Sequence, residues 1–172
     1  MPAVLKYSWT PVDRQPEGAA YKVLESHKVN SVPEIYSSGI LYQDFFGCRL
    51  EYFLMEDCGE SIKCRFTKIL GSSASPDDVS SAYSDITNVI NRIVACLVEA
   101  AAGVLHRDIS TSNIPIQNGQ VRVIDWGYAK LLNTDLPEIK NIASEWGFDL
   151  DDVTKNENIH DGMTGTTLFM SI

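Results

Sequence analysis

Three polar side chains at fixed separations set out a chemistry. Asp108 follows His106-Arg107, Asn113 comes five residues after Asp108, and Asp125 comes twelve after Asn113, inside Asp125-Trp126-Gly127. Two short apolar runs, 114–116 and 121–124, lie between Asn113 and Asp125, joined by Gln117-Asn118-Gly119-Gln120. Asn-Gly between apolar runs predicts a hairpin, because both residues tolerate positive φ. Such a hairpin returns Asp125 toward Asp108 and Asn113. Oxygen donors gathered in this way suit phosphoryl transfer, a reaction that asks for charge neutralisation and an oriented hydroxyl rather than covalent chemistry. Mg²⁺ prefers oxygen ligands and binds through one or two carboxylates plus substrate phosphates. Asn113 and Asp125 are the candidate ligands, and Asp108 is the candidate base.

Several elements must position these groups. Ser75-Pro76-Asp77-Asp78 is a helix start, with Ser75 as N-cap and Pro76 at the first helical position. Apolar residues then recur from Val79 through Ile86, Ile93 and Leu97 to Ala101. They predict one long amphipathic helix over 76–101, closed by Gly103, that delivers the chain into the loop carrying Asp108. Upstream, residues 62–75 are a mixed stretch ending in a loop at 71–75. Residues 35–42 and 48–55 read as two strands around Asp44-Phe45-Phe46-Gly47, with Leu50, Tyr52 and Leu54 alternating with Glu51, Phe53 and Met55. A helix is expected near Glu17, because Ala20, Tyr21 and Leu24 follow it at +3, +4 and +7. Pro11, Asp13 and Pro16 predict a loop over 10–16. Ala3-Val4-Leu5 is a short strand-like run followed by Lys6. Beyond Gly127, residues 132–161 are polar, with a helical piece expected near 137–146.

Composition narrows the function classes. The chain has 172 residues, 44% hydrophobic and 22% charged, ordinary for a globular protein of one domain or a little more. A net charge of −9 argues against non-specific nucleic-acid binding, which needs a basic footprint. Cys48, Cys58, Cys64 and Cys96 lack C-x-x-C spacing and do not group with His27, His106 or His160, so a zinc site is not expected. They read as reduced thiols of an intracellular protein, cytoplasmic or nuclear. No run approaches the ~20 apolar residues of a membrane span, and no secretory signal is visible.

His106-Arg107-Asp108-Ile109-Ser110-Thr111-Ser112-Asn113 resembles the catalytic loop H-R-D-x-x-x-x-N of protein kinases, and Asp125-Trp126-Gly127 resembles the metal-binding D-F-G. Ala3-Val4-Leu5-Lys6 is similar to V-A-I-K, whose lysine holds the nucleotide phosphates. Leu5-Lys6 with Ser8-Trp9, His106 to Ser110, and the Thr164-Gly165-Thr166 to Phe169-Met170-Ser171 ending together resemble the fungal-type protein kinase family. The resemblance spans nearly the whole chain and is loose outside these motifs. It implies an α+β, kinase-like two-lobe fold: a partial β-rich small lobe with one helix and a hinge over about 1–58, then the start of a helical large lobe through the activation segment over 59–172.

By that resemblance the activity is ATP-dependent phosphate transfer to a protein hydroxyl, with Mg²⁺ as metal. Asp108 is then the base, Asn113 and Asp125 hold the metal, and Lys6 holds phosphate, paired with a helix glutamate. Glu17 fits that pairing if the helix opens there, and Glu25 is the alternative. Met55 would take the gatekeeper position, and the backbone around Glu56 to Cys58 would meet the adenine edge. His106 would brace the loop against Asp125-Trp126-Gly127. Arg107 would meet a negative charge on the segment around Thr166, such as a phosphate on Thr164 or Thr167. Ser110 stands where many kinases have a lysine, although the fungal type matches here. The chain reads as the middle of such a domain, without a Gly-rich loop before Ala3 or further helices after Ile172. Apolar surfaces that favour association are therefore expected. Two other readings are a non-catalytic kinase-like binding module and a small-molecule phosphotransferase. The latter tend to carry H-G-D, so Arg107 counts against them.

Overall fold

The computed structural model describes residues 2–71, 75–78, 80, 81, 84–87, 89 and 103–150. Among these residues the architecture is mixed α+β, with three small antiparallel sheets and a few helices. Strands β1 (Ala3–Pro11), β2 (Ile35–Phe45) and β3 (Cys48–Glu56) form one sheet in the order β1-β3-β2. β2 turns into β3 through Phe46 and Gly47, at φ 51° and 74°. Positive φ at both turn residues matches the twist of the flanking strands. β1 runs further than the Ala3-Val4-Leu5 run indicates. Its register against β3 continues through Thr10↔Arg49 and Pro11↔Cys48, so the loop expected over 10–16 begins only after Pro11. Proline is tolerated there because β1 lies at the edge of the sheet.

Helix α1 (Glu17–Ser26) opens at Glu17, as its apolar spacing predicts. Two residues form β4 (Glu60–Ser61), and the first part of the stretch 62–75, read only as mixed, forms helix α2 (Ile62–Gly71). Ile62, Phe66 and Ile69 share the inward stripe of α2, and Ile62 and Phe66 pack with Ile114, Ile116 and Val121. Residues 76–78, 80, 81, 84–87 and 89 are helical, and the remainder of the helix expected to 101 lies outside the described residues. Its start has reciprocal caps: Asp78 N–H donates to Ser75 Oγ at 3.2 Å, and Ser75 N–H to Asp78 Oδ2 at 2.9 Å.

β5 (Val104–Leu105) pairs with β8 (Lys130–Leu131), and β6 (Pro115–Gln117) pairs with both β4 and β7 (Gln120–Val121). The β6–β7 turn is the expected Asn118-Gly119 hairpin, with φ 51° and 75°. Helix α3 (Pro137–Trp146) forms where a helical piece is expected and ends on Gly147 in the left-handed region. α1 and α3 pack closely because Gly18 has no side chain: a Cβ there would lie 2.0 Å from Trp146 Cη2. The main core joins Val23 and Leu24 of α1, Phe53 of β3, Val123 and Trp126, and Ile139 and Trp146 of α3. No described helix is long and apolar enough to cross a membrane, and Cys48, Cys58 and Cys64 are free thiols.

Candidate functional site

Alternation along β1 turns Leu5 and Tyr7 outward and Lys6 to the opposite face. There the Lys6 ammonium donates to Glu17 Oε1 at 2.7 Å, to Glu17 Oε2 at 2.8 Å and to Asp125 Oδ1 at 2.7 Å. Glu17 is the first residue of α1 and is fully buried. Its Oε1 also accepts the Trp126 N–H at 3.2 Å, so one carboxylate holds both the lysine and the backbone beside Asp125. Glu25, the alternative partner, is exposed two turns further along α1 and takes no part in this cluster. Burial works to lower the Lys6 pKa, but the carboxylates of Glu17 and Asp125 outweigh it, and the result is a rise. Burial pushes Glu17 up, with Lys6 opposing.

His106 is set by two bonds of opposite polarity. Its Nε2 lies 3.1 Å from the Ile124 carbonyl, and its Nδ1 accepts the Asp108 N–H at 3.2 Å. A carbonyl can only accept and an amide N–H can only donate, so the ring is the neutral Nε2–H tautomer. Burial correspondingly lowers its pKa. The ring packs on Trp126 at 4.4 Å between centroids, which braces the Asp108 loop against Asp125-Trp126-Gly127. Asn113 Nδ2 donates to the Asp108 carbonyl at 3.0 Å and to Asp108 Oδ2 at 3.3 Å. The Ile124 N–H in turn bonds the Asn113 carbonyl at 3.0 Å. Asp108, Asn113 and Asp125 thus belong to one connected framework, as the hairpin spacing predicts.

Arg107 and Asp125 both adopt φ 67°. Left-handed backbone at non-glycine residues costs about 1–3 kcal/mol and concentrates at functional sites. The Asn113 amide bonds Asp108 through nitrogen, which leaves its oxygen for a cation. Lys6 takes Oδ1 of Asp125, whose side chain is 48% exposed. No group of three or more His, Cys, Asp or Glu side chains converges among the described residues. A hard divalent cation that also binds phosphate needs only one or two protein carboxylates, so this donor set fits Mg²⁺.

The expected adenine-edge residues are placed at the end of β3. Met55 is buried in the core. The Glu56 N–H is taken by the Glu34 carbonyl at 2.9 Å and the Asp57 N–H by the Pro2 carbonyl at 3.3 Å. Among described residues, that leaves Cys58 with its backbone N–H unengaged. The Glu56 carboxylate instead pairs with Arg122 at 3.3 Å, tying β3 to the segment between β7 and Asp125. Burial pushes the Cys58 thiol up to about 12, so it stays protonated. A cavity of about 460 Å³ lined by Tyr21, Glu25, Lys28, Glu34, Glu56 and Arg122 includes none of Lys6, Asp108, Asn113 or Asp125. Thr164, Thr166 and Thr167 lie outside the described residues.

Sequence reading overlooked Gln15, Arg49 and Glu51, all buried beside the cluster. The Gln15 side-chain oxygen accepts the Leu131 N–H at 3.3 Å, joining the approach to α1 to β8. Arg49 and Glu51 share the inward face of β3 with Phe53 and Met55, and the period-2 pattern was the signal that could have found them. Compared with protein-family models and with curated proteins, the chain has no match.

Proposed function

We propose that the chain is a kinase-like phosphotransferase domain of the fungal-type protein kinase kind, moving the γ-phosphate of ATP to a protein hydroxyl. One observation carries the reading: Lys6 bridges Glu17, eleven positions away, and Asp125, 119 positions away, beside the bonded Asp108–Asn113 pair. Chance surface acids do not assemble from three distant segments around one buried carboxylate.

In this reading the Lys6 ammonium is held by Glu17 where it can meet nucleotide phosphates. Its compact charge suits that task. Asp108 Oδ orients the acceptor hydroxyl and takes its proton as that oxygen bonds to the γ-phosphorus and ADP departs. Asn113 restrains the Asp108 carboxylate from one side, and Asn113 and Asp125 would hold Mg²⁺ through oxygen. When bound, the cation would neutralise charge on the transferred phosphoryl group. The backbone at Cys58 would meet the adenine edge.

The test is label transfer from γ-labelled ATP to a generic protein acceptor in the presence of Mg²⁺, alongside calorimetric nucleotide binding. Asp108→Asn should lower transfer by about 10²–10⁴-fold with binding retained. Mg²⁺-dependent ATP binding without transfer would favour the non-catalytic binding module instead. No Mg²⁺-dependent binding at all would end the catalytic reading outright.

A further inference from the structure

Glu17 opens α1, yet that end of the helix has no cap of its own. Pro16 occupies the N-cap position and makes no side-chain bond. First-turn N–H groups lack intrahelical partners and need an acceptor from elsewhere. The acceptor comes from another element: Glu51 Oε2 on β3 takes the Gly18 N–H at 3.2 Å. A carboxylate there also faces the positive end of the helix dipole. Glu51 sits 3.7 Å from Arg49 Nε, and both side chains are fully buried. Arg49 Nη2 donates to the carbonyls of Pro11 at 3.1 Å, Val12 at 3.3 Å and Arg14. Those carbonyls belong to the end of β1 and its connection to α1, which is the stretch of chain between Lys6 and Glu17. Arg49 therefore grips the connection, and Glu51 grips the helix it leads into.

Stability does not account for placing two charges here. Apolar replacement of a buried ion pair is often neutral or stabilising. The bonding is also incomplete, since Arg49 Nε and Nη1 and Glu51 Oε1 have no hydrogen-bond partner among the described residues. What the pair does provide is one fixed position for the first residue of α1.

We infer that Glu51 is a positioning residue that caps α1 from β3, seated by Arg49, and so keeps Glu17 on Lys6 and Asp125. Its functional meaning rests on the phosphotransferase reading, while the cap itself does not.

Two double variants of the full chain test it, Arg49→Met/Glu51→Leu and Arg49→Met/Glu51→Gln. Neither leaves a lone buried charge, and they differ in whether residue 51 offers an oxygen to the Gly18 N–H. The readouts are the rate of Lys6 acylation by a water-soluble anhydride at one fixed pH, followed by mass spectrometry, and amide exchange along α1. In the leucine variant the first-turn amides of α1 should exchange roughly five- to tenfold faster than in the glutamine variant. Lys6 should acylate faster in the leucine variant than in the glutamine variant, because Glu17 no longer stays on the ammonium. Identical Lys6 acylation rates in the two variants would overturn the inference, as would a leucine variant matching the wild type. Faster exchange spread evenly over all elements, with Lys6 acylation unchanged, would show a merely structural role and count equally against it. Protection of Lys6 by Mg²⁺-ATP in the wild type is measured separately: its absence would remove the phosphotransferase reading and leave the cap to the other two readouts.

Discussion

Glu17 and His106 do at the residue scale what no exposed side chain could. Glu17 is fully buried and holds three hydrogen bonds, two from Lys6 and one from Trp126 N–H. Glu17→Gln keeps the shape but weakens the charge-assisted bonds, and a loss of about 2 kcal/mol in denaturant unfolding is expected. His106 supplies a pH dependence. Its pKa is lowered by burial, so its contribution is complete above the unfolded value of about 6.5 and is lost as pH falls through the lower folded value. Glu17 and Glu51 work in the opposite sense: burial raises both, so their cost eases on acidification. The informative measurement is therefore a difference. The melting temperature of the wild type minus that of His106→Phe should shrink between pH 7 and pH 5. An unchanged difference would mean that His106 titrates normally.

Among elements, α1 and α3 meet at Gly18 and Trp146. Gly18 leaves room for the Trp146 ring, and a Cβ at 2.0 Å cannot be accommodated without a shift. Gly18→Ala should cost about 1–3 kcal/mol through overpacking. In a Trp146→Phe background the same substitution should cost clearly less, because a smaller ring withdraws from the Cβ. Additive penalties in this double-mutant cycle would show that the two helices do not meet there. The α3 helix was legible from its apolar islands, but its docking on α1 was not, since a lone glycine in a helix says nothing about what it faces.

Across the whole molecule, the sheet β1-β3-β2 is two-faced. One face carries Lys6, Glu51, Phe53 and Met55 into the interior. The other exposes Leu5, Tyr7, Trp9, Phe45 and Leu54, with Trp9 and Phe45 in ring contact at 5.8 Å. Contiguous apolar surface of this kind promotes association. Sedimentation at rising concentration should show self-association that Tyr7→Lys/Trp9→Lys reduces, with β1 still paired to β3. A wild type that stays monomeric throughout would dismiss the expectation.

Local features were determined by sequence alone. The Asn118-Gly119 hairpin, the Ser75–Asp78 cap, the start of α1 at Glu17 and the span of α3 each depend on residues a few positions apart, where backbone preference and apolar period suffice. The separations of Asp108, Asn113 and Asp125 foretold their shared framework because a short hairpin leaves the chain little choice. Only the tertiary structure decided between Glu17 and Glu25, since both lie on one helix and the choice depends on how α1 sits against β1. Alternation along β3 puts Arg49 and Glu51 on one face with Phe53 and Met55, but it could not reveal what they meet there. Charged residues are rarely fully buried unless paired, and their partners, Gly18 and the carbonyls of residues 11, 12 and 14, reach them only through the fold.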